Sequence, residues 1–259
     1  MLRFVSSSLA VASLLVIGST ASADPKLNSH GFAVWSRVVS LAHEFNPANP
    51  IFPGDPETTV SLWATVPVDG YRVEQVSLGN HTGTHMNAPC HFVDGAKCLD
   101  ELPPEMFIRP LVVIDVRERV LENPDFQLTK QDIKDWEAIN GRIPPGAIVT
   151  IFTGFGDQYF EPSYFDIAPG FAGLTAKWLM KPVCQGGRGA AGLASDTFGA
   201  DATTDVDYSA TYETLLAGGV NLENLTNLEL VHPQGDTVVF LPARLQGSGF
   251  QTNVIALVR

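Results

Sequence analysis

Two short apolar runs constrain the fold of this chain more than any other feature. "PLVVIDV" (110–116) and "AIVTIF" (147–152) are rich in β-branched residues and have the length and composition of buried strands. Between them lies "TKQDIKDWEAIN" (129–140), which reads as a helix. Thr129 is its candidate N-cap, Ile133, Trp136 and Ile139 line one face, and Gly141 ends it. "TAKWLM" (175–180) and "SATYETLLAGG" (209–219) read as two more helices. "TTVSLWATV" (58–66) and "YRVEQVSL" (71–78) alternate apolar and polar residues, and "DTVVFLPARL" (236–245) and "TNVIALV" (252–258) read as late strands. Strands with helices between and after them predict one mixed-sheet α/β domain. "NPANPIFPGDP" (46–56) carries four prolines, so it is an irregular loop. Ile51 and Phe52 inside it suggest a loop packed onto something.

The first 23 residues stand apart. A basic start at Arg3, an apolar run over 4–17 and Ala21-Ser22-Ala23 together read as a secretory signal peptide cleaved after Ala23. The run is too short to span a bilayer core, which needs about 20 apolar residues. The expected product is a secreted domain over 24–259, periplasmic or extracellular. Losing Arg3 moves the net charge from −12 to −13, with 28 acids against 15 bases. Such a chain, with no basic cluster, argues against nucleic acid and anionic membranes as partners. Of the three cysteines, Cys90 and Cys98 would close a short loop beside the histidines. An oxidising compartment permits that bond, and sequence alone leaves its geometry open.

The chemistry is concentrated in "NHTGTHMNAPCHF" (80–92), which holds His81, His85 and His91, three of the chain's six histidines. On a straight strand, His81 and His85 would stand roughly 13 Å apart at the usual rise per residue. Two ligands of one zinc ion, each about 2.0–2.1 Å from it, must lie far closer. A helix would bring them together, but Thr82-Gly83-Thr84 is a weak helix former and Pro89 would interrupt it. The spacing therefore predicts a loop that turns at Gly83 and again near Pro89. Such a loop gathers His81, His85 and position 87 around one point and leaves His91 beside it. A neutral imidazole suits both metal ligation and proton transfer. Cys90 next to His91 is a poorer thiol–base pair, because adjacent residues of an extended segment point to opposite faces.

At this motif the chain resembles the cyclase-like metal hydrolases, the family of bacterial kynurenine formamidase and isatin hydrolase. Their pattern is H-x-G-T-H-x-D-x-P-x-H-F. Here His81, Gly83, Thr84, His85, Pro89, His91 and Phe92 match, and Asn87 stands in place of the aspartate. "SLAHEFNPANPIFPGDP" (40–56), "CLDELPPEMFIRPLVVIDV" (98–116), "PDFQLTKQDIKDWEAINGRIPPGAIVTIFTGF" (124–155) and "LLAGGVNLENLTNLELV" (215–231) extend the likeness over nearly the whole mature chain. The resemblance implies a single mixed-sheet domain of the swivelling β/β/α type. It implies His81, His85, position 87 and Glu223 as metal ligands and His91 as the general acid/base. Tyr212 stands where two-metal members carry a further histidine, and Asn253 where the family has a C-terminal arginine. Asn87 offers a neutral carbonyl where cations of this kind favour an anionic oxygen, and a phenol with a pKa near 10 is a poor ligand. One divalent ion, Mn or Zn and weakly bound, is therefore the expected cofactor.

The implied activity is hydrolysis of a small aromatic amide or lactam, N-formylkynurenine of kynurenine metabolism or an isatin-like ring. Phe52, Trp63, Phe92 and Tyr212 are the candidate pocket walls, because such a substrate wants apolar surroundings. The implied assembly is a homodimer or homotetramer. The alternative is a catalytically degenerate member that keeps the pocket and binds a small molecule or another partner. The intact H-x3-H-x5-H spacing favours activity.

Overall fold

The computed structural model describes residues 35–259; the expected signal peptide lies outside the described residues. The strands are β1 (Arg37–Ser40), β2 (Thr59–Ala64), β3 (Val73–Ser77), β4 (His85–Asn87), β5 (Ile108–Asp115), β6 (Gln127–Leu128) and β7 (Ile148–Phe152). They continue with β8 (Gly170–Phe171), β9 (Gly192–Ser195), β10 (Val220–Glu223), β11 (Gln234–Phe240), β12 (Gly249–Gln251) and β13 (Val254–Val258). The α-helices are α1 (Val66–Asp69), α2 (Arg117–Glu122), α3 (Lys130–Asn140), α4 (Gly173–Met180) and α5 (Ser209–Leu216). Among the described residues no helix is long and apolar enough to cross a membrane.

Nine strands form one mixed sheet in the order β1-β13-β11-β5-β7-β9-β10-β4-β12. Its centre, β5-β7-β9-β10, is parallel, and the strands on either side run antiparallel. The two apolar runs are the adjacent central strands β5 and β7. Their side chains alternate between two cores, as successive strand residues must. Leu111, Val113 and Ile148 pack on one face; Val112, Ile114, Val149 and Ile151 pack on the other. The second face is covered by α3 and α4, through Ile133, Ala176 and Leu179. Thr129 caps α3 as expected, its hydroxyl accepting from the Asp132 amide. Ile139 departs from expectation: it is 86% exposed, so the buried stripe of α3 is narrower than its apolar pattern.

The hairpin β2–β3 forms its own two-stranded sheet, with α1 at its tip. Every residue of β3, and every residue of β2 except Ala64, is exposed. The pairing left open at the cysteines is made: Cys90 and Cys98 form a disulfide.

Candidate active site

The histidine segment is bent, for the reasons its residues dictate. Gly83 has φ +74°, and a Cβ there would meet the Phe45 ring at 2.9 Å, so only glycine makes this turn without strain. The chain then straightens for the three residues of β4 and turns again through a 3₁₀ turn at Pro89–His91. In β4, Met86 points into the core while His85 and Asn87 share the opposite face. The antiparallel register with β10 sets Glu223 directly across from His85. The next strand, β12, sets Gly249 across from Asn87. A Cβ at Gly249 would lie 2.7 Å from His81 Cε1, so that glycine leaves room for the imidazole.

The polar side chains of this face form a continuous chain. Glu223 is buried and can only accept, so it fixes the Asn87 amide: Nδ2 donates to Glu223 Oε1 at 2.5 Å. Asn87 Oδ1 then faces His81 and accepts from its Nδ1–H at 2.7 Å. That proton leaves His81 Nε2 as the acceptor for the Ser248 hydroxyl, at 2.8 Å. On the other side, His85 Nδ1–H donates to Gly83 O at 2.8 Å. His85 Nε2 remains without a hydrogen-bond partner, although it is buried. It stands 3.3 Å from Glu223 Oε2, near but not aligned as a hydrogen bond. His91 stacks on His81 with ring centroids 3.9 Å apart, and His81 meets His85 edge-on at 5.2 Å.

Electrostatics separates the three rings. Burial, helped by the neighbouring His85 and His91, pushes His81 down to about 3. Burial also lowers His91, so it is neutral at physiological pH. Burial opposes charge on His85 too, but the Glu223 carboxylate outweighs it and its pKa is raised.

Two donors alone, His85 Nε2 and Glu223 Oε2, stand at a separation that one divalent cation could bridge. His85 Nε2 is a buried ring nitrogen with no partner, aimed at a buried carboxylate. Two ligands on one tetrahedral zinc ion stand about 3.3 Å apart when each bond is about 2.0–2.1 Å, which is the separation of His85 Nε2 and Glu223 Oε2. His81 and Asn87 are engaged with each other and with Ser248 and Glu223. They would reach such an ion only by exchanging those bonds. Accordingly, among the described residues no three His, Cys, Asp or Glu side chains stand together in metal-holding geometry.

These groups open into a cavity of about 480 Å³. Phe52 and Phe92 line it, as the sequence suggested, and His81, His85, Asn87, His91 and Glu223 all face it. Two expected wall residues lie elsewhere. Trp63 is 75% exposed on the hairpin, and Tyr212 is 43% exposed on α5; neither lines the cavity. On α5 the neighbouring Thr211 faces it instead. Sequence reasoning missed Ser248, Phe165, Phe198 and the acidic residues after Gly199. Only the small-residue run Gly247-Ser248-Gly249 carried a signal, as a close approach of backbone to a side chain.

The putative cyclase family matches residues 39–202 of this chain. The isatin hydrolase of Roseibium aggregatum is 36% identical over 92 residues, covering 34% of this chain and 35% of that protein. The kynurenine formamidase of Bordetella petrii is 33% identical over 79 residues, covering 30% of this chain and 38% of that protein. These matches therefore span little more than a third of each relative's length. Among solved structures, isatin hydrolase A of Labrenzia aggregata, bound to benzyl benzoate, superposes with a TM-score of 0.79 at 29% identity. That likeness covers 86% of this chain and 93% of the other.

Proposed function

Because the chain belongs to the putative cyclase family, we propose that it is a hydrolase of a small aromatic amide or lactam C–N bond, of the arylformamidase or isatin-hydrolase kind. The observation that carries this reading is the buried Nε2 of His85, without a hydrogen-bond partner, facing Glu223 in a cavity that Phe52 and Phe92 also line. A weakly held divalent ion, Mn or Zn, suits that gap. His85 and Glu223 would hold it, and His81 and Asn87 would complete its surroundings by giving up their mutual bond. When bound, such an ion supplies carbonyl polarisation and a lowered pKa for water. The rest falls to the chain itself. His91, kept neutral by burial, takes a proton from the attacking water and returns it to the departing nitrogen. Phe52 and Phe92 hold an aromatic ring and keep bulk water out.

Two further readings belong with this one. The Cys90–Cys98 disulfide supports an exported protein, since such bonds persist in oxidising compartments. The bare hairpin supports a homodimer or homotetramer. Eight of its apolar side chains, Trp63, Leu62 and Val68 among them, are 41–83% exposed. At roughly 100 Å² apiece they offer about the 800 Å² per partner that a stable interface buries. A second copy is the occupant that covers them.

The test is metal content and hydrolysis of N-formylkynurenine, formanilide and isatin by the purified mature chain, with and without chelator. Turnover that chelation abolishes and Mn or Zn restores is the expected result. No turnover of any of the three at saturating metal would favour the binding-protein alternative. One observation favours that alternative: Asn87 Nδ2 already satisfies the Glu223 carboxylate with a hydrogen bond, as a cation otherwise would.

A further inference from the structure

In an extended strand the residue after Glu223 would point to the opposite face of the sheet. Asn224 does not: its φ is +57°, a left-handed conformation that asparagine tolerates better than most residues. The bend carries its side chain back to the side of Glu223, and both face the cavity. Asn224 is 6% exposed, and each of its polar atoms has a partner. Its backbone amide donates to Thr197 O at 2.8 Å, and its backbone carbonyl accepts from the Thr84 hydroxyl at 2.6 Å. Its Nδ2 donates to Gly83 O at 2.9 Å. Gly83 O can only accept, which leaves Oδ1 on the other side, where the buried Tyr164 hydroxyl donates to it at 2.7 Å.

Gly83 O is where this residue meets the histidine segment. It accepts from Asn224 Nδ2 and from His85 Nδ1–H, one donor for each lone pair. A glycine at positive φ has more than one orientation open to its carbonyl, so the turn by itself does not aim this oxygen; Asn224, reaching across from the end of β10, does. The aim matters because a neutral His85 has two places for its proton. On Nδ1 the proton is held by Gly83 O. On Nε2 it would turn toward Glu223 Oε2, 3.3 Å away, and ring and carboxylate would close on each other. The position of Gly83 O therefore decides which ring nitrogen is bare toward the cavity.

We propose that Asn224 is a positioning residue of this site: it holds Gly83 O so that His85 keeps its proton on Nδ1 and turns an unprotonated Nε2 to the cavity. Tyr164 acts one step further out, by fixing which way the Asn224 amide faces. The left-handed turn and the side-chain bonds are separable. Asn227 has the same φ of +57°, but its Nδ2 donates to Ser40 O at the end of β1 and it does not line the cavity. The inference rests on the hydrolase reading only for its effect on turnover; the state of the His85 ring is a property of the fold.

The experiment reads the ring and the turnover separately. The mature chain is labelled with ¹⁵N-histidine, and the proton of neutral His85 is located by long-range proton–nitrogen correlation in EDTA at alkaline pH, with His85→Gln identifying the resonance. The parent should carry it on Nδ1. Asn224→Gly, which keeps the left-handed turn and loses the amide, should shift the ratio toward Nε2–H by about fivefold, as the loss of one neutral hydrogen bond does. Tyr164→Phe should shift it the same way by less, and it carries the test where Asn224→Gly does not fold. Asn227→Gly should leave the ratio unchanged, whatever it does to the melting temperature. At saturating metal, Asn224→Gly should lower kcat for formanilide about tenfold with KM little changed, because the ring is loosened as well as wrongly protonated. The proposal is overturned if the parent carries the proton on Nε2, if the folded variants at Asn224 and Tyr164 keep the parent's ratio, if Asn227→Gly shifts it equally, or if Asn224→Gly matches the kcat of an active parent. A parent without turnover that still shows the expected shifts would sink the hydrolase reading and leave this one standing.

Discussion

Residues 59–77 and residues 80–92 are separated by Leu78 and Gly79 and have opposite environments. The first segment is a hairpin whose apolar side chains are open to solvent. The second is a bent, largely buried segment whose polar side chains are tied to one another and to β10 and β12. A two-stranded hairpin alone is marginally stable in water, so the first segment needs something outside a single copy. The buried polar side chains of the second are satisfied within the fold except at two atoms, Thr82 Oγ1 and the ring nitrogen His85 Nε2. The contrast separates two kinds of incompleteness. The hairpin lacks a surface to pack on, and the site lacks a ligand for one nitrogen.

The largest effect expected in the polar half is on turnover. His91→Ala should lower kcat by about 10²–10⁴-fold, the usual worth of a positioned acid/base. Metal content should stay near the parent's, because His91 stacks on His81 rather than joining the Asn87–Glu223 chain. Equal loss of metal and turnover would make His91 a ligand. In the apolar half, Leu62→Glu with Trp63→Glu should weaken self-association by about 100-fold, because buried aromatic anchors dominate interfaces. Sedimentation velocity across a dilution series reads this directly. An unchanged assembly would place the contact on another face and break the comparison at its first term.

Asn87→Asp sharpens the comparison from the other side. In the parent the amide donates to Glu223 at 2.5 Å. A carboxylate at position 87 would put two anionic oxygens at that separation, tolerable only with a proton or a cation between them. The variant should therefore hold Zn or Mn about 10–100-fold more tightly. It should also gain more thermal stability than the parent when metal is added. If both proteins gain equally, Asn87 already serves as a ligand and the hydrogen-bonded chain gives way when metal binds.

These residues also show what a sequence can disclose. The requirement that His81 and His85 meet at one point excludes a straight strand, Gly83 and Pro89 disfavour a helix, and the turn itself falls at Gly83, where φ is +74°. β5, β7 and α3 were legible because period and capping are local signals. β9, β10 and β12 were not, since each is short and takes its conformation from neighbours distant in sequence. The same limit explains Ser248 and Phe198, which reach the site only through sheet pairing and loop packing. Trp63 looked like a pocket wall because it is large and apolar. Yet alternation along β2–β3 says only that one face is apolar, not what covers it. The hairpin's alternating pattern was visible in sequence, but the absence of a second layer beneath it was not.

The smallest effect concerns acid. His81 is pushed down to about 3 by burial and its two histidine neighbours, against about 6.5 in an unfolded chain. Below pH 6.5 the unfolded chain takes up a proton that the folded chain refuses. The His81 contribution to stability is therefore intact above that pH and is lost progressively as pH falls toward 3. The loss is about 1.4 kcal/mol per pH unit, so about 1.4 kcal/mol by pH 5.5. Urea unfolding in EDTA at pH 7.5 and 5.5 should show this loss in the parent and a smaller one in His81→Gln. The hairpin variant should lose as much as the parent, because no histidine lies within 59–77. If His81→Gln and the parent fall together, the His81 ring is protonated in the folded state. It would then donate to Ser248 rather than accept from it, and the direction of the whole Ser248–His81–Asn87–Glu223 chain would have to be redrawn.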